Sequence, residues 1–174
     1  MTRAHARAVV DVGAGDGRFA LELARTDPNT LAIALDASTD RLVDGARLAR
    51  RHGVPNVLFV VSSVERLPEL LGGIADEATI HFPWGSLLRG VTCGDEAVLA
   101  PLAHLLRTGG RLELVLQASD VAVDAFERHC LVLCERRPAT AAEVTRTRSS
   151  WAKRLGIGPQ RPAFVFRFER IRER

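Results

Sequence analysis

The residues best placed to do chemistry lie in Val9-Val10-Asp11-Val12-Gly13-Ala14-Gly15-Asp16-Gly17, an apolar run that ends in an acid and enters a glycine-rich turn. A strand that turns through glycines into a helix lets a ligand approach the backbone closely, and it predicts a nucleotide-type ligand. Pyrophosphate binding needs GxGxxG, but the position for the third glycine holds Arg18, so the spacing is GxGxG and NAD is disfavoured. S-adenosylmethionine suits this spacing. Gly13, Gly15 and Gly17 admit an uncharged, thioether-linked ribose and amino-acid tail, and Asp11 can orient the turn or meet the ligand's ammonium. The next apolar run, Leu31 to Leu35, ends in Asp36 with Ala37 beside it, where a carboxylate can take both ribose hydroxyls. After the third such run, Ser62 to Pro68 falls where folds of this kind meet an adenine ring through backbone groups, which points to Val64 and Glu65. An ordinary tight turn would also use these glycines, but it would not require Asp11 and Asp36 in this order.

Aromatic residues are few: two Trp, seven Phe and no Tyr. Phe19, Phe59 and Phe126 sit in core-like patterns, and Phe164, Phe166 and Phe168 alternate on one face of the last apolar run. Trp84 stands apart in His81-Phe82-Pro83-Trp84-Gly85-Ser86-Leu87-Leu88-Arg89-Gly90-Val91, at the strand end where ligands bind in open α/β folds. Pro83 would stiffen that end, and Ser86 is a hydrogen-bonding candidate for cofactor or base, or else a turn cap. Trp151 lies in an arginine-rich stretch, where Arg148, Trp151 and Arg154 would share a helix face. An indole flanked by cations suits a base beside its phosphates, although core packing is the competing reading.

These residues need a scaffold. Apolar β-type runs alternate with helical stretches, which predicts an α/β fold with a Rossmann-like, seven-stranded, mostly parallel sheet and helices on both faces. Strands are expected at Ala8–Val12, Leu31–Asp36, Asn56–Ser62, Ala78–Pro83, Gly110–Gln117, Cys130–Arg136 and Ala163–Ile171. Helices are expected at Gly17–Arg25, Ser38–His52, Asp95–Arg107, Val121–His129 and Thr140–Leu155, with a short turn near Pro68–Leu71. Thr140 and Glu143 have the spacing of a capping box, and Gly156 and Gly158 should end the last helix.

With 174 residues the chain is read as one domain, 1–174. Its longest uncharged run, His52 to Val64, is too short to cross a membrane, and Met1 to Val10 has no apolar secretory segment; a cytoplasmic protein without membrane contact is expected. Cys93, Cys130 and Cys134 include no CxxC pair, and the five histidines lack ligand spacing, so neither a disulfide framework nor a metal site is predicted. Charge is divided unevenly. Residues 128 to 174 hold 12 Lys and Arg against 4 Asp and Glu, a net +8, while residues 1 to 127 carry −5. A basic C-terminal third is the footprint of nucleic-acid binding, or, more plainly, a solvated surface.

The cofactor residues resemble motifs of class I S-adenosylmethionine-dependent methyltransferases. Phe82 to Val91, with Ser150-Trp151-Ala152-Lys153-Arg154-Leu155, closely resembles the kanamycin-apramycin resistance family, which methylates N1 of adenine 1408 in 16S rRNA. The resemblance runs from Val9 to Phe168 and includes Glu65-Arg66-Leu67-Pro68. It implies that Trp84 and Trp151 grip a flipped adenine, that Arg148, Lys153, Arg154 and Arg161 hold RNA, and that a monomer acts on the 30S subunit and gives aminoglycoside resistance. Only about seven residues precede the first strand, where that family usually has a β-hairpin, and the linker after the fifth strand shortens to Ala118–Val121. The rival readings are another RNA methyltransferase, such as one for tRNA guanine N7, and a non-catalytic RNA-binding module; neither predicts paired tryptophans with an intact cofactor motif.

Overall fold

The alternation of apolar runs and amphipathic stretches is realised as seven strands and six α-helices in a computed structural model that describes residues 5–149, 152, 154–158 and 160–172. In chain order these are β1 (Arg7–Val12), α1 (Arg18–Thr26), β2 (Thr30–Asp36), α2 (Thr39–Arg51), β3 (Val57–Val61), β4 (Ala75–His81), α3 (Gly85–Cys93), α4 (Glu96–Leu105), β5 (Leu106–Leu116), α5 (Val123–Arg128), β6 (Leu131–Pro138), α6 (Ala141–Arg146) and β7 (Phe164–Arg170). Short 3-10 turns at Val64–Arg66 and Glu69–Leu71 lie between β3 and β4.

All seven strands form one sheet in the order β3-β2-β1-β4-β5-β7-β6, parallel except for β7, which runs antiparallel between β5 and β6. The chain moves outward from β1 through β2 to β3, then returns to place β4 on the other side of β1. That reversal opens a crevice at the carboxyl ends of β1 and β4, the place where open α/β sheets bind ligands. The two faces of β2 show how the layers differ. Ala32 and Ala34 pack with Ala20, Leu21 and Ala24 of α1 and Leu42 and Ala49 of α2, while Ile33 and Leu35 join the larger core against α4 and α5. Small residues on the first face let those helices come close. At Gly45 of α2 a Cβ would stand 2.1 Å from the Asp16 carbonyl oxygen, so this glycine lets α2 press directly on the loop after β1.

Three expectations are corrected. The stretch Gly85–Cys93, read without a helix, is α3, so Ser86 lies in a first helical turn that Trp84 precedes as N-cap residue. The helix expected at Thr140–Leu155 begins as predicted, with the Thr140–Glu143 capping box, but ends at Arg146. Arg148 takes a left-handed φ of 54°, outside any helix, while Arg154 is helical, so Arg148 and Arg154 do not share one helix face. β4 also stops at His81, because Phe82 has a φ of 47°, a conformation that costs a non-glycine residue about 1–3 kcal/mol. Its N–H donates to the Val115 carbonyl at 2.7 Å and holds the bend that carries Pro83 and Trp84 over the crevice.

Candidate active site

The glycine loop is tied to the end of β2. Gly13 and Ala14 donate their N–H groups to the Leu35 carbonyl at 2.8 and 3.0 Å, and Gly15 donates to Asp36 Oδ2 at 2.8 Å. Ser38 N–H donates to Asp36 Oδ1 at 2.8 Å, so the carboxylate is aimed by two backbone groups and each oxygen still has a lone pair for a ligand hydroxyl. Gly17 caps α1 in a left-handed conformation, φ 70°, and a Cβ there would lie 2.6 Å from the Phe59 ring. Glycine is therefore required at this position by backbone conformation and by close packing together.

Two adjoining clefts open above these elements. One is lined by Asp36, Ala37, Val64, Glu65, Pro83 and Ser86, the residues expected around the adenosine end of a cofactor. The other is lined by Asp11, Gly15, Asp16, His81, Arg148 and Arg154. Gly13 and Trp84 border both, which makes them one continuous site. Trp84 is 56% exposed, so it is not a core residue. Arg161 is exposed and bonds with the backbone of Gly158, outside both clefts. Trp151 and Lys153 lie outside the described residues.

Beneath the second cleft is a buried polar chain. Asp11 is 3% exposed and accepts from Thr79 Oγ1 at 3.0 Å. Burial pushes its carboxyl up to about 6, against the opposing pull of His81 and Thr79. The His81 ring stands 3.7 Å from Asp11 Oδ1 on one side and 3.7 Å from Glu113 Oε1 on the other, edge-on to Phe19, and neither ring nitrogen has a hydrogen-bond partner among the described residues. Glu113 accepts from Arg146 at 2.7 Å and from Arg167 at 2.9 Å. Burial alone would raise its carboxyl, yet His81 and the two guanidinium groups hold it down at about 2.

Sequence reasoning overlooked His81, Glu113 and Arg41. Glu113 had a signal, since a lone acid in the apolar run Leu112–Leu116 needs a buried partner. His81 and Arg41 had none, because their neighbours come from distant segments.

The sheet order, the antiparallel β7, the glycine loop and the carboxylate ending β2 define a class I, S-adenosylmethionine-dependent methyltransferase. Within that class the chain belongs to the 16S rRNA (adenine(1408)-N(1))-methyltransferase family described as NpmA, which matches residues 1–129. It is 31% identical over 185 residues to the 16S rRNA (adenine(1408)-N(1))-methyltransferase of Escherichia coli, with 91% of this chain and 84% of that protein covered. Identity to the enzyme of the same name from Streptoalloteichus tenebrarius is 38% over 112 residues, covering 62% of this chain and 51% of that protein, so the match spans about half of that relative's length. A tryptophan-to-alanine variant of the 16S rRNA (adenine(1408)-N(1))-methyltransferase from Catenulisporales acidiphilia, solved with the cosubstrate SAM, superimposes with a TM-score of 0.87 at 28% identity, over 98% of this chain and 88% of that one.

Proposed function

We propose that this protein transfers a methyl group to N1 of adenine 1408 in 16S rRNA, acting as a monomer on the 30S subunit and so conferring aminoglycoside resistance. The observation that carries this reading is the single opening shared by the adenosine-type cleft and Trp84. An exposed indole at the mouth of a cofactor site is a surface on which an extruded base can stack.

S-adenosylmethionine, when bound, supplies an electrophilic methyl on sulfur. The clefts fit its parts. Asp36 would hold the ribose hydroxyls, Ala37, Val64, Glu65 and Pro83 would border its adenine, and Gly13, Gly15, Gly17 and Asp11 would hold the amino-acid end, with Ser86 a polar group at the junction. For the target, N1 of a neutral adenine already presents an in-plane lone pair, so Trp84 and Trp151 have to align the base rather than remove a proton from it. The N–CH3 bond forms as the S–CH3 bond breaks and its electron pair returns to sulfur, which would give neutral S-adenosylhomocysteine and a cationic base, and an indole face favours a cation. Arg148, Lys153, Arg154 and Arg161 would hold phosphates around the extruded nucleotide.

Asp36→Ala is expected to weaken S-adenosylmethionine binding by about 1.5–3 kcal/mol, the loss of charged hydrogen bonds to ribose. Calorimetry on the folded variant checks it, and an unchanged affinity would move the ribose contact elsewhere. Arg154 is exposed and borders the cleft with Trp84. Arg154→Glu should reduce methylation of 30S subunits and leave cofactor affinity intact, because what is lost is phosphate attraction. A parallel fall in both would make this segment part of the scaffold.

A further inference from the structure

Arg41 comes from the first turn of α2, whereas Trp84 follows β4, and the fold brings them together: Arg41 Cζ lies over the indole, 5.1 Å from the ring centroid. This is within the distance at which a guanidinium is attracted to the face of a tryptophan. Arg41 is half-buried and forms no ion pair among the described residues, so the indole is the partner that orients its head group. The helix that carries it is anchored at its start, since Gly45 seats α2 on the Asp16 carbonyl and Ser38 N–H is bonded to Asp36. The β2–α2 connection therefore fixes the carboxylate Asp36 and the cation Arg41 together.

An exposed side chain with two free torsions loses rotamer freedom when a ligand docks on it, and that loss weakens docking unless the side chain is held beforehand. Trp84 is more than half exposed, yet a cation from a fixed helix lies over its ring. We propose that Arg41 is a positioning residue for the target base: it holds the Trp84 indole in its receiving orientation before the adenine arrives, and registers that orientation to the segment bearing Asp36. The inference rests on the reading of Trp84 as the base-stacking residue. Arg41 touches no reacting atom and acts through the ring.

The test uses Arg41→Met, which keeps the aliphatic stem and removes the charge, and Arg41→Lys, which keeps a cation. In a Trp151→Phe background, where Trp84 is the single indole, Arg41→Met should lower fluorescence anisotropy and raise quenching by acrylamide, and Arg41→Lys should restore both. With Trp151 intact, the single-turnover rate of methyl transfer at saturating 30S subunits should fall about 2- to 5-fold in Arg41→Met, with cofactor affinity unchanged by calorimetry. Unchanged Trp84 fluorescence would overturn the proposal. So would a loss confined to the KM for 30S subunits, which marks a phosphate contact. Full activity of Trp84→Ala would sink the base-stacking reading and this inference with it, whereas unchanged fluorescence in Arg41→Met beside an inactive Trp84→Ala would overturn this inference alone.

Discussion

Trp84→Ala should lose methyl transfer by about 5- to 150-fold while its melting temperature and cofactor affinity stay near those of the unmodified protein. Stacking of a base on an aromatic ring contributes about 1–3 kcal/mol, which sets the lower and upper bounds of that loss. Stability should survive because the side chain is 56% exposed, whereas truncating a buried tryptophan costs about 3–5 kcal/mol. Trp84→Phe should keep part of the activity, since a smaller π-face remains. Trp151→Ala and Trp151→Phe should behave alike if the two rings enclose one base. Melting temperature, cofactor affinity and 30S methylation measured on all four variants separate the cases: a melting temperature that falls first denotes packing, and stable, fully active alanine variants would remove the base sandwich.

Asp11→Asn should make the cofactor-free protein more stable at neutral pH and at the same time a poorer binder of S-adenosylmethionine. The carboxyl titrates at about 6 when folded and near 3.8 when unfolded, so the folded state holds its proton more tightly. Ionised Asp11 consequently opposes folding: the penalty is absent below pH 3.8, grows between 3.8 and 6, and is complete above 6, where it amounts to about 3 kcal/mol. Asparagine removes the charge and can still accept the Thr79 hydroxyl. The stability difference between variant and parent should therefore be large at pH 8 and vanish towards pH 4 in thermal melts. Cofactor affinity of the parent should decline as pH drops through 6, where the carboxylate proposed to face the ligand's ammonium is lost. An Asp11→Asn protein that is less stable yet binds normally would make this acid a support of the turn alone.

The strand that turns through Gly13, Gly15 and Gly17 into a helix, and the strand that ends in Asp36, were legible because each depends on local backbone needs that residue type reports directly. Gly85 to Val91 was not legible as a helix, since its two glycines lower helix propensity. Packing reverses the argument at Gly90, where a Cβ would stand 2.5 Å from Val98, so the glycine that weakens α3 locally is what lets it meet α4. The end of α6 was misread for a related reason. No glycine or proline lies between Thr140 and Gly156, but Arg146 is drawn to Glu113 and Arg148 to Glu22, 3.1 Å away on α1, and these distant ion pairs accompany the left-handed turn at Arg148. The His81 chain and the Arg41–Trp84 pair belong to the same category: their partners are set by the sheet order, which no single segment encodes.

N1-methylation blocks the Watson–Crick edge of adenine, so it halts reverse transcriptase immediately before the modified nucleotide. Primer extension on 16S rRNA from 30S subunits incubated with the purified protein and S-adenosylmethionine is therefore the most direct test of the proposed reaction. The account predicts a new stop at adenine 1408 that requires the cofactor and, at equal enzyme and time, is weakened about 5- to 150-fold in rate by Trp84→Ala. A stop at another nucleotide, or methyl incorporation into tRNA with 16S rRNA unmodified, would contradict it.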